Sequence, residues 1–421
     1  MDIDISINEY REFVSENPYE EIWRQLYYFT DVDSVNEKIR KRFNLTEKEQ
    51  RDQPKRRAQK IAYSIIQAHN YFKAASQVDV SVKPNLIYYG ISSLANTVIE
   101  YNNNGEFSPD CLRDRKQEKH HGLDDKFSLK KDASLQEILE SISCIIHIES
   151  KKLDESYGLL ADVEYDKENM EIKKPYGHFR NFYNSIVPEC VLIDAEIHYP
   201  NRDSNKLVGR NVIHNADRTN IEDLIVRRFD LLTMFQFLPD VVQQLSSNGI
   251  DTNLCHGSMI RHEYLVQQNQ SKEDANIQDI YTKALFFIDG LTPEKKEYFG
   301  KLYLRNKAIQ IKKEYPSNLG FIYDSRQESE DRYFPDMIQD IFRVLYFIYN
   351  VEKYIQELAN LYICFFCTGM LCRYYPNYWM HWLEKNVGFK HLMETLCSIA
   401  IRKFPNLILN QLTQCINHFH L

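Results

Sequence analysis

The chain has 421 residues, of which 43% are hydrophobic and 27% are charged, so its composition is that of a globular protein with two or three substructures. Its formal net charge of −8 argues against a polybasic nucleic-acid binder. The sequence contains neither GxGxxG nor GxxxxGK[ST], which excludes the usual glycine-rich phosphate loops.

Cysteine usage and the first residues predict a cytoplasmic protein. The nine cysteines are irregularly spaced, and the opening MDIDISINEY is acidic without an apolar signal core. The longest apolar run, ANLYICFFCTGMLC at 359–372, is too short to span a bilayer. We therefore expect a buried helix there and no membrane partner.

Helical periodicity dominates the first third of the chain. Apolar residues recur at helical spacing in 55–76 and again in 84–101, where Pro84 suits a first helical turn. The composition of 102–112, NNNGEFSPDCL, predicts a loop after the second helix.

The periodicity changes in the middle of the chain. Strands are predicted for ISCIIHI (142–148), ECVLIDAEIHY (189–199), GSMIRHEYLV (257–266) and KALFFIDG (283–290). One segment between them, 220–246, has helical periodicity instead. The middle therefore mixes helices and strands.

Helical periodicity returns near the C-terminus. An apolar stripe runs from Pro335 to about Cys372, with a break expected near Asn350. We predict an α+β fold that is predominantly helical. A helical N-terminal region (1–135) and a helical C-terminal region (331–421) would enclose a mixed α/β middle region (136–330).

Four motifs in order resemble the YaaC-like protein family of bacteria. They are YFKAA (71–75), KPNLIYYG (83–90), HGL (121–123) and RYYPNYW (373–379). The resemblance implies a bacterial cytoplasmic protein. Some members are encoded near phage-defence genes, which implies a component of an anti-phage defence system that recognises nucleic acid, a nucleotide or a partner protein. Tyr375 stands where the family pattern leads us to expect histidine.

The last of these motifs has two interpretations. In one, aromatic side chains lock a helix–helix corner, with Arg373 at the end of one helix and Pro376 opening the next. In the other, Arg373, Tyr374 and Trp379 bind a base or nucleotide by stacking. The sequence favours the corner.

A second candidate site is RDRKQEKHHG at 113–122. Arg113 and His120 resemble the Rx4–6H signature of HEPN ribonucleases, which use histidine as acid or base and arginine to stabilise the phosphate, without a metal. Such domains usually act as homodimers. Arg115, Lys116 and His121 would bind the nucleic acid. The alternative is a basic surface loop.

Another basic segment, RDQPKRRAQK at 51–60, contributes Arg56 and Arg57 as candidate phosphate-binding residues. Whether it meets residues 113–131 in space is left open, and both segments are also typical of solvated surface.

Two further patterns favour structure over chemistry. His69 lies on an apolar helical face, as a hydrogen-bonded core histidine would. Cys364 and Cys367 form CxxC inside a continuous apolar helix, where buried thiols are expected and not a zinc site. We expect no metal and no cofactor.

Overall fold

The computed structural model describes most of the chain. The described ranges are 6–45, 52–105, 120–152, 165–166, 171–198, 207–215, 219–267, 278–303, 309–315, 317–324 and 336–420. Arg113, Arg115 and Lys116 lie outside these ranges.

The N-terminal part is helical, as predicted. Strand β1 (Glu9–Val14) precedes helices α1 (Pro18–Tyr27), α2 (Val32–Arg42), α3 (Asp52–Ser76) and α4 (Lys83–Asn102). Helices α3 and α4 can pack closely because Gly90 has no side chain. A Cβ there would lie only 2.8 Å from the ring of Phe72. The predicted stripe of α4 is buried, and most of it faces α3 and the C-terminal helices.

Two small antiparallel sheets follow. The first joins β2 (Leu123–Asp125) to β3 (Ser143–Ile146) and β3 to β9 (Arg228–Asp230), with helix α5 (Leu135–Ser141) between the first two strands. The second joins β4 (Ile148–Lys152) and β5 (Tyr165–Asp166) to β6 (Glu171–Pro175). Helix α6 (His178–Ser185) starts directly after the second sheet.

A larger sheet occupies the rest of the middle. Its strands are β7 (Cys190–His198), β8 (Leu207–His214), β10 (Leu254–Gln267), β11 (Gln278–Ile288), β12 (Ile309–Tyr315), β13 (Asn318–Asp324), β14 (Met337–Gln339) and β15 (Leu345–Ile348). The order β12-β13-β11-β10-β15-β14 is antiparallel, and β7 pairs parallel to β10 and antiparallel to β8.

Four more helices accompany these strands. They are α7 (Ile221–Leu224), α8 (Leu231–Gln236), α9 (Val242–Ser247) and α10 (Pro293–Tyr303). The predicted helix at 220–246 is thus divided into α7, α8 and α9, with β9 after α7. Asp230 starts α8 by accepting a hydrogen bond from the Thr233 N–H at 2.8 Å.

The C-terminal helices pack against the N-terminal helices. Helices α11 (Glu357–Tyr374), α12 (Pro376–Lys385) and α13 (Val387–Thr413) lead to β16 (Cys415–His420), which pairs parallel to β1. Helix α11 is buried on all sides until its last turn, as its apolar sequence predicts. Within the described ranges, no helix is long and apolar enough to cross a membrane.

The predicted α+β class, predominantly helical with a mixed middle, is confirmed. The helix predicted from Pro335 is wrong up to Ile348, where the chain forms the β14–β15 hairpin and continues the large sheet past residue 330. The Asp340 carboxylate accepts the N–H groups of Phe342 and Val344 at 2.8 and 2.9 Å. This local turn competes with a helix for the same backbone donors.

Candidate functional site

The HGL motif lies in a loop that is hydrogen-bonded to the start of α6. The His178 N–H donates to the His120 carbonyl at 2.9 Å, and the Phe179 N–H donates to the His121 carbonyl at 2.9 Å. These bonds use donors of the first helical turn, which have no partner within the helix. The two adjacent histidines are therefore held in a fixed backbone position.

Two glycines allow the loop and the start of α6 to approach each other this closely. Gly122 has φ +85° and Gly177 has φ +94°. A Cβ on Gly177 would lie 2.7 Å from Cα of Gly122 and 2.8 Å from the carbonyl oxygen of His120. Both positions therefore need glycine for backbone conformation and for space.

The loop brings His120 together with Asp124 and His147, and we call these three residues the histidine–aspartate cluster. The rings of His120 and His147 stack with centroids 4.1 Å apart. Nδ1 of His147 lies 3.0 Å from Oδ2 of Asp124, and Nε2 of His120 lies 3.7 Å from Oδ1. The side chains of His120, Asp124 and His147 are 39%, 34% and 28% exposed, so a substrate can reach them.

The hydrogen bonds fix where the protons of the cluster lie. The Gly122 N–H donates to Nδ1 of His120 at 3.2 Å, so the neutral ring carries its proton on Nε2, towards Asp124. His147 donates from Nδ1 to Asp124, which leaves its Nε2 as a hydrogen-bond acceptor. Partial burial, followed by the nearby His147, lowers the pKa of His120.

The cluster also has the donor types of a metal site. One atom from each residue can be chosen so that all lie within 4.8 Å of one another. However, Nδ1 of His120 accepts the Gly122 N–H, so Nε2 carries the proton and has no lone pair for a metal. The present arrangement therefore fits a set of hydrogen bonds better than a coordination sphere.

Aromatic and amide groups fix the neighbouring histidines. Nδ1 of His121 lies 3.0 Å from the Tyr88 hydroxyl. His178 lies 2.8 Å from the Tyr362 hydroxyl through Nδ1 and 3.1 Å from Oδ1 of Asn96 through Nε2. Burial, with a smaller contribution from His121, lowers the pKa of His178 to about 4. His178 is therefore a neutral support of the site.

The end of α11 adjoins this loop. Arg373 is exposed, donates to the Tyr89 hydroxyl at 2.7 Å and lies 4.9 Å from the ring centroid of Tyr374. Partial burial, followed by the charges of His120 and Arg373, lowers the pKa of His121. The structure thus brings four of the predicted residues into one neighbourhood: His120, His121, Arg373 and Tyr374.

Trp379 lies in the interior and not on a binding surface. Its side chain is 1% exposed, and its indole N–H donates to the Ser81 carbonyl at 2.9 Å. Trp382 is equally buried and donates to the Lys130 and Lys131 carbonyls at 3.1 and 3.0 Å. These contacts agree with the helix-corner interpretation, because neither indole offers a free face.

The basic start of α3 lies elsewhere. Arg57 is 2% exposed and donates through Nε to the Glu100 carbonyl at 3.0 Å, whereas Arg56 is exposed. Glu100 and Tyr88 are separated by about 18 Å along α4, at a rise of about 1.5 Å per residue. Arg57 therefore has a structural position far from His121.

The buried thiols predicted at Cys364 and Cys367 are found, whereas His69 is hydrogen-bonded as predicted but only half-buried. His69 accepts or donates at 3.0 Å with the Tyr27 hydroxyl and stacks on Trp23. Burial raises the pKa of the Cys364 and Cys367 thiols well above the usual value, as expected for structural cysteines.

Sequence reasoning missed Asp124, His147 and His178. Asp124 directly follows the HGL motif, and its acidity beside two histidines was a usable signal. His147 is the last residue but one of the strand-like ISCIIHI segment, but only the antiparallel pairing of β2 with β3 brings it to Asp124. No local pattern marks that pairing.

The fold and the site together define an α+β protein in which a loop between helical and sheet regions carries His120 of the histidine–aspartate cluster. The sequence model of the YaaC-like protein family matches residues 27–412, and the chain belongs to this family. No curated protein and no solved structure matches it.

Proposed function

We propose that the histidine–aspartate cluster is the acid–base centre of a metal-independent ribonuclease. The supporting observation is the 3.0 Å contact of Nδ1 of His147 with Asp124. A carboxylate in this position orients the imidazole and stabilises its protonated form, while Nε2 is left to accept a proton. The side chain of His147 has no other hydrogen-bond partner among the described residues.

The reaction follows from these positions. Nε2 of His147 removes the proton of a ribose 2′-hydroxyl, and the 2′-oxygen forms a bond to the adjacent phosphorus. The bond from phosphorus to the 5′-oxygen breaks, that oxygen takes up a proton from water, and His147 returns the proton that it removed to the solvent. The products are a 2′,3′-cyclic phosphate and a 5′-hydroxyl. The Nε2–H of His120 would donate to a non-bridging phosphate oxygen as its charge grows.

Basic residues near the cluster in space or in sequence support an RNA substrate. Exposed Arg373 lies close enough to His121 for its charge to lower the pKa of that histidine, and Arg113, Arg115 and Lys116 precede His120 in the sequence. Cationic side chains beside an acid–base pair attract the phosphate backbone. The role of Arg113 in the HEPN-like signature stays a prediction from the sequence, as does the homodimer.

The exposed Arg373–Tyr374 pair favours a second candidate function. An arginine over an aromatic ring suits stacking and phosphate contacts without catalysis. In this alternative the chain is a non-enzymatic component of an anti-phage defence system and recognises nucleic acid, a nucleotide or a partner protein.

The test is cleavage of total RNA by the purified chain in EDTA, beside three variants. We expect His147→Ala and His120→Ala to lower the rate by about 10²–10⁴-fold, the usual contribution of a positioned acid or base. His391→Ala is the matched control, because His391 is 72% exposed on α13 and outside the cluster.

Each result separates the candidates. Cleavage by the parent and by His391→Ala, with loss in the cluster variants, supports the ribonuclease. Cleavage that requires added Mn²⁺ or Mg²⁺ would replace the metal-independent mechanism with a metal site. If the parent does not cleave RNA but binds it, and Arg373→Ala weakens binding, the recognition function is favoured.

A further inference from the structure

A cavity of about 740 Å³ lies away from the histidine–aspartate cluster. The large sheet, the turn between β14 and β15, helix α13 and strand β16 surround it. Its volume falls within the roughly 300–1,000 Å³ of small-molecule sites. No sequence motif marks this cavity, because its walls come from distant segments.

The walls are strongly cationic. Arg210, Arg343 and Arg402 line the cavity together with His418, whereas Asp194 is its one lining carboxylate among the described residues. Arg210 is paired with Glu12 and lies 3.5 Å from Asp194. Arg343 and Arg402 have no ion pair with any residue that the structure describes. Neither arginine therefore has a direct carboxylate partner there, although the more distant Asp194 favours the charge of Arg343.

The position of Arg343 is specifically built. Its φ of +66° is uncommon for a residue with a side chain and arises in the turn that Asp340 organises. Gln339 fixes the same turn to β7, donating to the Leu192 carbonyl at 2.8 Å. Nε of Arg343 is buried without a hydrogen-bond partner. Such strain and such an unpartnered donor occur where a ligand completes the site.

The electrostatic effect is visible at His418. Burial, followed by the charges of Arg343, His420, Arg210 and Arg402, lowers the pKa of His418 to about 4. The same positive field would attract an anion. At the tip of the same turn, Phe342 is 76% exposed and lines the cavity, so a flat apolar group can stack there.

We propose that this cavity binds a phosphate-bearing ligand of nucleotide size, with Arg343 and Arg402 holding the phosphates and Phe342 contacting the base. Arginine offers paired donors that match phosphate oxygens, and an aromatic ring accepts any base face. The proposal does not depend on the ribonuclease assignment, because no residue of the cavity belongs to the histidine–aspartate cluster.

The test is isothermal titration calorimetry of the full chain at constant ionic strength. The ligands are the four ribonucleoside triphosphates, adenosine and inorganic phosphate. We expect at least one triphosphate to bind. Arg402→Gln should weaken its binding by about 10- to 100-fold, as expected for losing a charge-assisted hydrogen bond. Arg343→Gly should do the same without backbone strain, because glycine tolerates the positive φ.

Two controls locate the binding. Lys301→Ala removes a 72%-exposed cation outside the cavity and should bind as the parent does. His120→Ala reports instead whether the triphosphate binds at the histidine–aspartate cluster. In the parent, the pKa of His418, followed by NMR, should rise when the triphosphate binds. The proposal is overturned if no triphosphate binds up to about 1 mM, a weak specific affinity. It is also overturned if both arginine variants bind normally or His120→Ala abolishes binding.

Discussion

Replacing Gly177 by alanine should release the loop that carries His120. Gly177 has φ 94° and ψ −175°, a region that is essentially restricted to glycine and costs other residues on the order of 1–3 kcal/mol. The added Cβ would also lie 2.7 Å from Cα of Gly122. Backbone atoms cannot rotate away, so the loop must move.

Movement of the loop would break its two hydrogen bonds to the start of α6. The two bonds from the start of α6 to the carbonyls of His120 and His121 contribute about 0.5–1.5 kcal/mol each. With the conformational cost, Gly177→Ala should lower the free energy of unfolding by about 2–6 kcal/mol. Urea denaturation followed by tryptophan fluorescence measures this change.

Gly249→Ala is the matched control. Gly249 also has a positive φ, of +72°, but a Cβ there would have no atom within 4 Å. It should lose only about 1 kcal/mol, the cost of the left-handed conformation. The reasoning is refuted if both variants lose the same stability, or if the NMR signals of the His120 ring are unchanged in Gly177→Ala.

A buried charge network provides two more predictions. Lys403 contacts the carboxylates of Asp240 and Glu357 at 2.6 Å each, and all three side chains are buried. Lys403→Met should therefore lower the free energy of unfolding, measured by urea titration, by about 3–5 kcal/mol. As a control, Lys301→Ala removes an exposed ion pair and should change it by less than about 1 kcal/mol. Burial raises the pKa of Glu189 from 4.5 to about 7, so the folded state binds more protons than the unfolded chain between these values. Stability should therefore fall as pH rises from about 5 to 7, and this fall should be smaller in Glu189→Gln; equal slopes would contradict the assignment.

The sequence predicted elements well where one periodicity extended over many residues. Helices α3 and α4 agree with the predicted segments within a few residues, and β7, β10 and β11 contain the predicted strand cores. The prediction failed after Pro335, because Ile338, Leu345 and Ile348 fit a helical stripe as well as a hairpin. The Asp340 turn decides between the two, and its effect is local geometry that periodicity does not report.

The candidate site was predicted only in part for a similar reason. His121, Arg373 and Tyr374 belong to family motifs, His120 comes from the resemblance to the HEPN signature, and all four lie in one neighbourhood. The partner of His120, His147, lies directly after β3, and only the long-range pairing of β2 with β3 brings it to the cluster. The location of Arg57 was also hidden, since its burial depends on the packing of α3 against α4.

The pairing of β1 with β16 has a consequence for biosynthesis. Their paired residues Glu9 and Cys415 are 406 positions apart, so β1 leaves the ribosome long before its partner exists. The N-terminal helices can pack during translation, whereas β16 supplies His418 to the cavity wall only near the end. Until then β1 is an open edge, and its charged residues Glu9, Arg11 and Glu12 oppose pairing with other nascent chains. Ligand binding in the cavity would then distinguish a chain that has closed its terminal sheet from one that has not.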